Sequence, residues 1–140
     1  MQQSENPAYG MPAELVIFFA KVQGAGAAAP VRAPTTFSNT SWKGFMFASN
    51  NFVSTTAADI ARSGAGVYTA KLRDVTGHVI EIIPTLAGTD GKKVQIQDYN
   101  NSTQTISFSV LNADGLVATD LAATDFVTFT IFGQKVKPTY

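Results

Sequence analysis

Apolar and polar residues alternate with a period of two through much of the carboxy-terminal half of the chain. Ile106, Phe108 and Val110 interleave with Thr105, Ser107 and Ser109, and Val127, Phe129 and Ile131 interleave with Phe126, Thr128 and Thr130. This period puts successive side chains on opposite faces of an extended strand, one face buried and the other wet. Val94 and Ile96 set against Gln95 and Gln97 repeat the pattern. Val79, Ile80, Ile82 and Ile83 predict a further strand, which Pro84 stops or sends to a sheet edge. Turn residues separate these segments: Asp90-Gly91 is a hairpin signal, and Asn100 to Ser102 and Asn112 to Gly115 are further reversals.

The amino-terminal half is less regular. Leu15 to Ala20 is an uninterrupted apolar run, followed by Lys21 and Val22. Its Val, Ile and Phe content favours a strand, and the continuous run implies cover on both faces, one cover being a partner subunit. Residues 23–36, rich in Gly, Ala and Pro, read as an extended loop that lies against another chain. Trp42 to Ala48 reads as an aromatic strand with a bulge at Gly44, and Asn50-Asn51 as a turn. Phe52, Val53 and Thr55 suggest a short strand. Residues 59–73 read as strand, glycine turn and strand, with Gly64 and Gly66 at the reversal, where positive φ costs glycine nothing. Asp120 to Thr124 suggests a brief helical turn.

About eight strands at this spacing, with no competing amphipathic helix, predict an all-β fold: a jelly-roll-like antiparallel β-sandwich over residues 14–140. Residues 1–13, with Pro7, Gly10 and Pro12 and no period, read as an extended amino-terminal arm. Tyr9 and Met11 in the arm, and Leu15, Ile17 and Phe19 in the first strand, are the candidate interaction residues. Gly64, Gly66, Asp90 and Gly91 are the candidate structural turn residues.

Charge sharpens the picture. Ten basic and ten acidic residues cancel, and charged residues make up 14% of the 140, against roughly 25% in ordinary soluble domains. A surface built on Thr, Ser, Asn and Gln is weakly hydrated and suits packing against other subunits. No basic excess supports nucleic-acid binding. No apolar run approaches the roughly 20 residues that span a membrane, and the first residues carry no secretion-type basic start.

Few residues offer chemistry. Without cysteine there are no disulfides or thiolate metal sites, and the single histidine, His78, reads as a solvated turn residue. No serine occupies a Gly-x-Ser-x-Gly elbow, and Gly64-Ala65-Gly66 lacks the lysine and helix of a phosphate loop. Asp90 and Asp114 precede turn glycines, Asp120 and Asp125 flank a turn that they are expected to cap, and no loop has the dense acids of a calcium hand. Trp42, Phe45, Phe47 and Tyr68 suit a core or interface better than sugar stacking. The expectation is a protein that is not an enzyme and has no cofactor.

Arg62, Ser63, Gly64, Gly66, Val67, Tyr68 and Thr69, preceded by an Ala/Gly/Pro segment, together with Asp120, Leu121, Ala122, Asp125, Val127 and Phe129, carry a resemblance over about residues 25–132. The pattern resembles bacteriophage virion β-domains of the C1q-like or jelly-roll kind, found in fibres and in capsid decoration, or cement, proteins. The resemblance implies a homotrimer, made in the host cytoplasm, that binds the major capsid protein and stabilises the outside of the capsid, with the arm on the shell or a neighbouring subunit. The alternative it leaves open is a fibre or spike tip that binds a surface glycan for host attachment.

Overall fold

The computed structural model describes residues 13–34, 47–73, 75 and 77–136. Nine strands run through them: β1 (Ala13–Gln23), β2 (Val31–Arg32), β3 (Phe47–Asn51), β4 (Ile60–Gly64), β5 (Val67–Lys71), β6 (His78–Ala87), β7 (Lys93–Asn100), β8 (Thr105–Leu111) and β9 (Phe126–Val136), with one 3-10 turn at Ala57–Asp59. They form two sheets. The first has the order β2-β1-β9-β6, with β3 also beside β1, and the second has the order β4-β5-β8-β7. Every pairing is antiparallel except β1 with β3, where Ile17 stands level with Phe47.

The order is nested. β1 and β9, far apart in sequence, pair at the centre of the first sheet, and β5 and β8 pair at the centre of the second. β6 and β7, joined by the loop between them, form the outer edges of opposite sheets. This wrapping of a folded ribbon into two layers is the jelly-roll arrangement, so the fold is the expected all-β, jelly-roll-like sandwich. Its edges are blunted. β6 has a register shift between Val79 and Glu81 and carries Pro84, which cannot donate to a ladder. β7 shifts between Ile96 and Asp98, and β4 between Arg62 and Gly64. Such edges resist strand addition.

The core lies between the sheets, where the period-two rule places it. Phe18, Ala20 and Val22 of β1 and Val127, Phe129 and Ile131 of β9 face Tyr68 and Ala70 of β5 and Ile106, Phe108 and Val110 of β8. Phe108 joins the layers: its ring lies 5.0 Å from Phe129 in an edge-to-face contact and 5.3 Å from Tyr68. Aromatic pairs in this geometry contribute roughly 0.5–1.5 kcal/mol beyond their buried area. The bulge in β7 resets the alternation, so Tyr99 packs inward with Val94 and Ile96 despite its odd position.

Several expectations are corrected. Asp90-Gly91 does not close a hairpin: β6 pairs with β9 and β7 with β8, so the turn lies in a crossover between sheets. The loop after β1 lies against its own chain. Gly24 and Gly26 donate to the carbonyls of Asp125 and Leu121 at 3.0 and 2.9 Å, and Val31 returns to pair with Gln23. Asn51 is not a turn residue but the buried end of β3. Its side chain accepts from Lys21 N and Val53 N and donates to Lys21 O and Ala33 O at 2.7–3.0 Å, tying the flank of the sheet together. Val53 makes a single bridge to Leu72 rather than a short strand. Residues 120–124 are irregular with one turn, not helical. The arm up to Pro12, with Tyr9 and Met11, and the aromatic segment through Trp42, Gly44 and Phe45, lie outside the described residues.

Candidate interaction surface

The first sheet is apolar on both faces over part of its extent. Val16, Phe18, Ala20 and Val22 of β1 point to the core, so Leu15, Ile17 and Phe19 point the other way. Register sets their neighbours: Leu15 is level with Gln134 of β9 and, beyond it, His78 of β6. Ile17 is level with Phe132 and Glu81, and Phe19 with Thr130 and Ile83. Strands about 4.8 Å apart bring these rows into one surface. Leu15 and Ile83 are 56% and 49% exposed, and Ile17, Phe19 and Phe132 are half-buried; Ile80, 55% exposed, sits at the register shift of β6 and lines the cleft at that edge. The other end of the same face is polar, with Lys21, Thr128 and Thr85 in one row; the Lys21 ammonium sits 4.8 Å over the Phe126 ring. The outer face of the second sheet differs. Thr69, Ser107, Ser109 and Gln97 line it, and the Gln97 amide donates to Ser109 Oγ at 2.8 Å. Exposed clusters of large apolar side chains are the kind of surface on which proteins associate.

Other large apolar side chains are exposed singly, Val31 at 49% and Val67 of β5 at 43%, or as a pair. Leu116 and Val117, 82% and 59% exposed, stand at the tip of the turn after β8. That turn is locally well ordered by hydrogen bonds: Asn112 Oδ1 accepts from Leu116 N and Val117 N, and Asp114 Oδ1 from Leu116 N.

The residues that carry the resemblance converge on a structural lock. Arg62 donates through Nε and Nη2 to the two carboxylate oxygens of Asp120 at 2.9 and 2.8 Å. Gly66 N and Tyr68 OH donate to the same carboxylate, each at 3.0 Å, and Tyr68 OH accepts from Leu121 N at 2.9 Å. The guanidinium and the Gly66 amide hold the Asp120 carboxyl well below the usual carboxylate range. Burial, countered in part by the Leu121 amide, pushes the Tyr68 hydroxyl up to about 12. Tyr68 is therefore an enclosed, fully bonded side chain and offers no stacking surface. Asp120 does not cap its turn as expected, whereas Asp125 does. Asp125 accepts from Ala122 N at 2.8 Å and from the Lys92 ammonium at 2.6 Å, which pins the β6–β7 crossover.

Of the turn glycines, Gly66 has φ +66° and Gly91 φ +64°. A Cβ on Gly66 would overlap Val110 O and both backbone polar atoms of Thr119. Gly64 ends β4 without positive φ and has open space beside it. Asp90 lies exposed in the crossover, 3.4 Å from the Lys92 ammonium.

Among the described residues, no three His, Asp or Glu side chains are grouped to hold a metal ion. His78 is exposed at the start of β6 rather than in a turn. It lines an open cleft of about 290 Å³ between the β6 and β7 edges, with Glu81, Tyr99 and Asn101. No protein-family model, curated protein or solved structure matches this chain.

Proposed function

We propose that the chain is an adhesive structural subunit: a homotrimeric, phage-type capsid decoration protein that binds the major capsid protein on the outside of the shell. The observation that supports association is the apolar outer face formed by Leu15, Ile17, Phe19, Phe132 and Ile83. Burying a large apolar side chain contributes about 1.5–3 kcal/mol. Covering what remains open of these five would contribute on the order of 4–8 kcal/mol, comparable with the cost of bringing protomers together. Closed symmetry would repeat this contact around an axis. Low charge fits an adhesive role. The virion location rests on the resemblance carried by Arg62 to Thr69 and Asp120 to Phe129. Attachment of several arms at once would multiply the hold on the shell.

Co-sedimentation with shells assembled from the major capsid protein encoded in the same genome tests this reading. The full chain should pellet with shells. Removing residues 1–11 should leave the circular dichroism spectrum unchanged and weaken attachment about tenfold, or about 1.4 kcal/mol. A full chain that stays in the supernatant contradicts the reading. The second reading, glycan binding at a fibre tip, draws on the cleft beside Tyr99, where an aromatic ring, a carboxylate and an amide meet. Glycan-array binding that is lost in Tyr99→Ala would favour it.

A further inference from the structure

Lys92, in the β6–β7 crossover, and Asp125, just before β9, meet inside the fold from positions 33 residues apart. The Lys92 ammonium lies 2.6 Å from Asp125 Oδ2, and only 9% and 1% of the two side chains is exposed. A second carboxylate stands beside them: Asp90 Oδ2 is 3.4 Å from the same ammonium and is open to water. The two oxygens of Asp125 differ. Oδ2 also accepts from Ala122 N at 2.8 Å, whereas Oδ1 is buried and, among the described residues, has no hydrogen-bond partner. Gly88 closes over Oδ1, so that a Cβ at that position would overlap it.

An ion pair taken out of water repays its desolvation only when its remaining polar atoms are bonded. Oδ1 is not bonded, so the charged pair is a costly resting state for this site. The Asp125 hydrogen bond, opposed by burial, holds the Lys92 ammonium above its ordinary range. Moving one proton along the 2.6 Å contact gives a neutral amine and a neutral acid without any charge leaving the site. These are the reactants of an amide, already held together. Ala122 N is placed to stabilise negative charge on Oδ2 while the carbon is attacked. Asp90 reaches the nitrogen to take a proton from it.

We propose that Lys92 and Asp125 join in an intramolecular isopeptide bond, with Asp90 as the proton carrier. Nζ bonds to Cγ of Asp125, and the Cγ–Oδ1 bond breaks. The two protons that leave the ammonium end on Oδ1, which departs as water, and Asp90 is returned unchanged. Oδ2 stays as the amide oxygen, still accepting from Ala122 N. The link staples the crossover to the start of β9 in a chain without cysteine, and it restricts the unfolded chain as a disulfide does. It is independent of the apolar face and of any capsid role.

Mass spectrometry of the full-length protein, incubated at neutral pH, tests this. The expected mass is one water below the sequence mass, counted with or without Met1. Tryptic digestion should leave the chain uncut after Lys92 and join that fragment to the one holding Asp125. Lys92→Arg, which keeps the ion pair, should restore the full mass. A wild-type protein at its full sequence mass overturns the proposal without reliance on any variant. A lost water with the two fragments separate overturns it too, because a cyclic imide at Asp90-Gly91 has the same mass. An Asp90→Asn protein that links as fully as wild type overturns the role of the proton carrier.

Discussion

Arg62 and Asp120 stand 58 residues apart and meet as a two-pronged ion pair, with Nε to Oδ1 at 2.9 Å and Nη2 to Oδ2 at 2.8 Å. Asp120 also accepts from Gly66 N and Tyr68 OH. One carboxylate therefore fastens the β4–β5 turn to the connection between β8 and β9. Asp120→Ala should destabilise by about 2 kcal/mol, because it leaves the Gly66 amide and the Tyr68 hydroxyl without their acceptor. Arg62→Ala should cost less, since its guanidinium remains partly open to water. Urea denaturation of both variants checks the order; an Asp120→Ala midpoint equal to wild type would show that the lock is not structural.

The same lock predicts two limbs in the pH dependence of stability. The Asp120 carboxyl titrates below its unfolded value, so its contribution is complete above about pH 4 and is lost as pH falls further. The Tyr68 hydroxyl keeps its proton to about 12 in the fold against 10.0 in the open chain, so stability should decline as pH rises between these values. Melting temperatures across pH should show an acid limb that is shallower in Asp120→Asn and an alkaline limb that is shallower in Tyr68→Phe. Curves parallel to wild type would contradict the assignment.

The strands were legible where one face is wet. Thr105, Ser107 and Ser109 alternate with buried residues in β8, and Thr128 and Thr130 do so in β9, so period two identifies both. In β1 the apolar run foretold two covered faces but not the neighbours of Leu15, Ile17 and Phe19. Phe132 and Ile83 join them only through strand register, which a single sequence does not encode locally. Asp90-Gly91 misled because a turn signal fixes a reversal but not the partner of the strand that follows. Asn51 and Asp120 resembled ordinary turn residues, yet most of their hydrogen bonds run to residues 18–58 positions away. β2 is two residues long and has no period to detect.

The hairpin at residues 64–67 separates two glycines that look equivalent in sequence. Gly66→Val should destabilise by more than about 1 kcal/mol, since φ is +66° and a Cβ would meet Val110 O at 2.5 Å. Gly64→Ala should fall within about 0.5 kcal/mol of wild type, because φ is ordinary and nothing lies within 4 Å. Thermal melts of both decide it: equal losses would place the turn wrongly.

Association through the outer face of the β1–β9–β6 sheet is the central claim, and the mass of the purified protein in solution tests it most directly. Light scattering at micromolar concentration should give three times the 14.8 kDa protomer mass. The double substitution Leu15→Glu with Ile83→Lys places charge on two exposed positions of that face without entering the core, so it should give a folded monomer with an unchanged circular dichroism spectrum. A wild-type protein that is monomeric, or a trimer that survives both substitutions, would contradict the account.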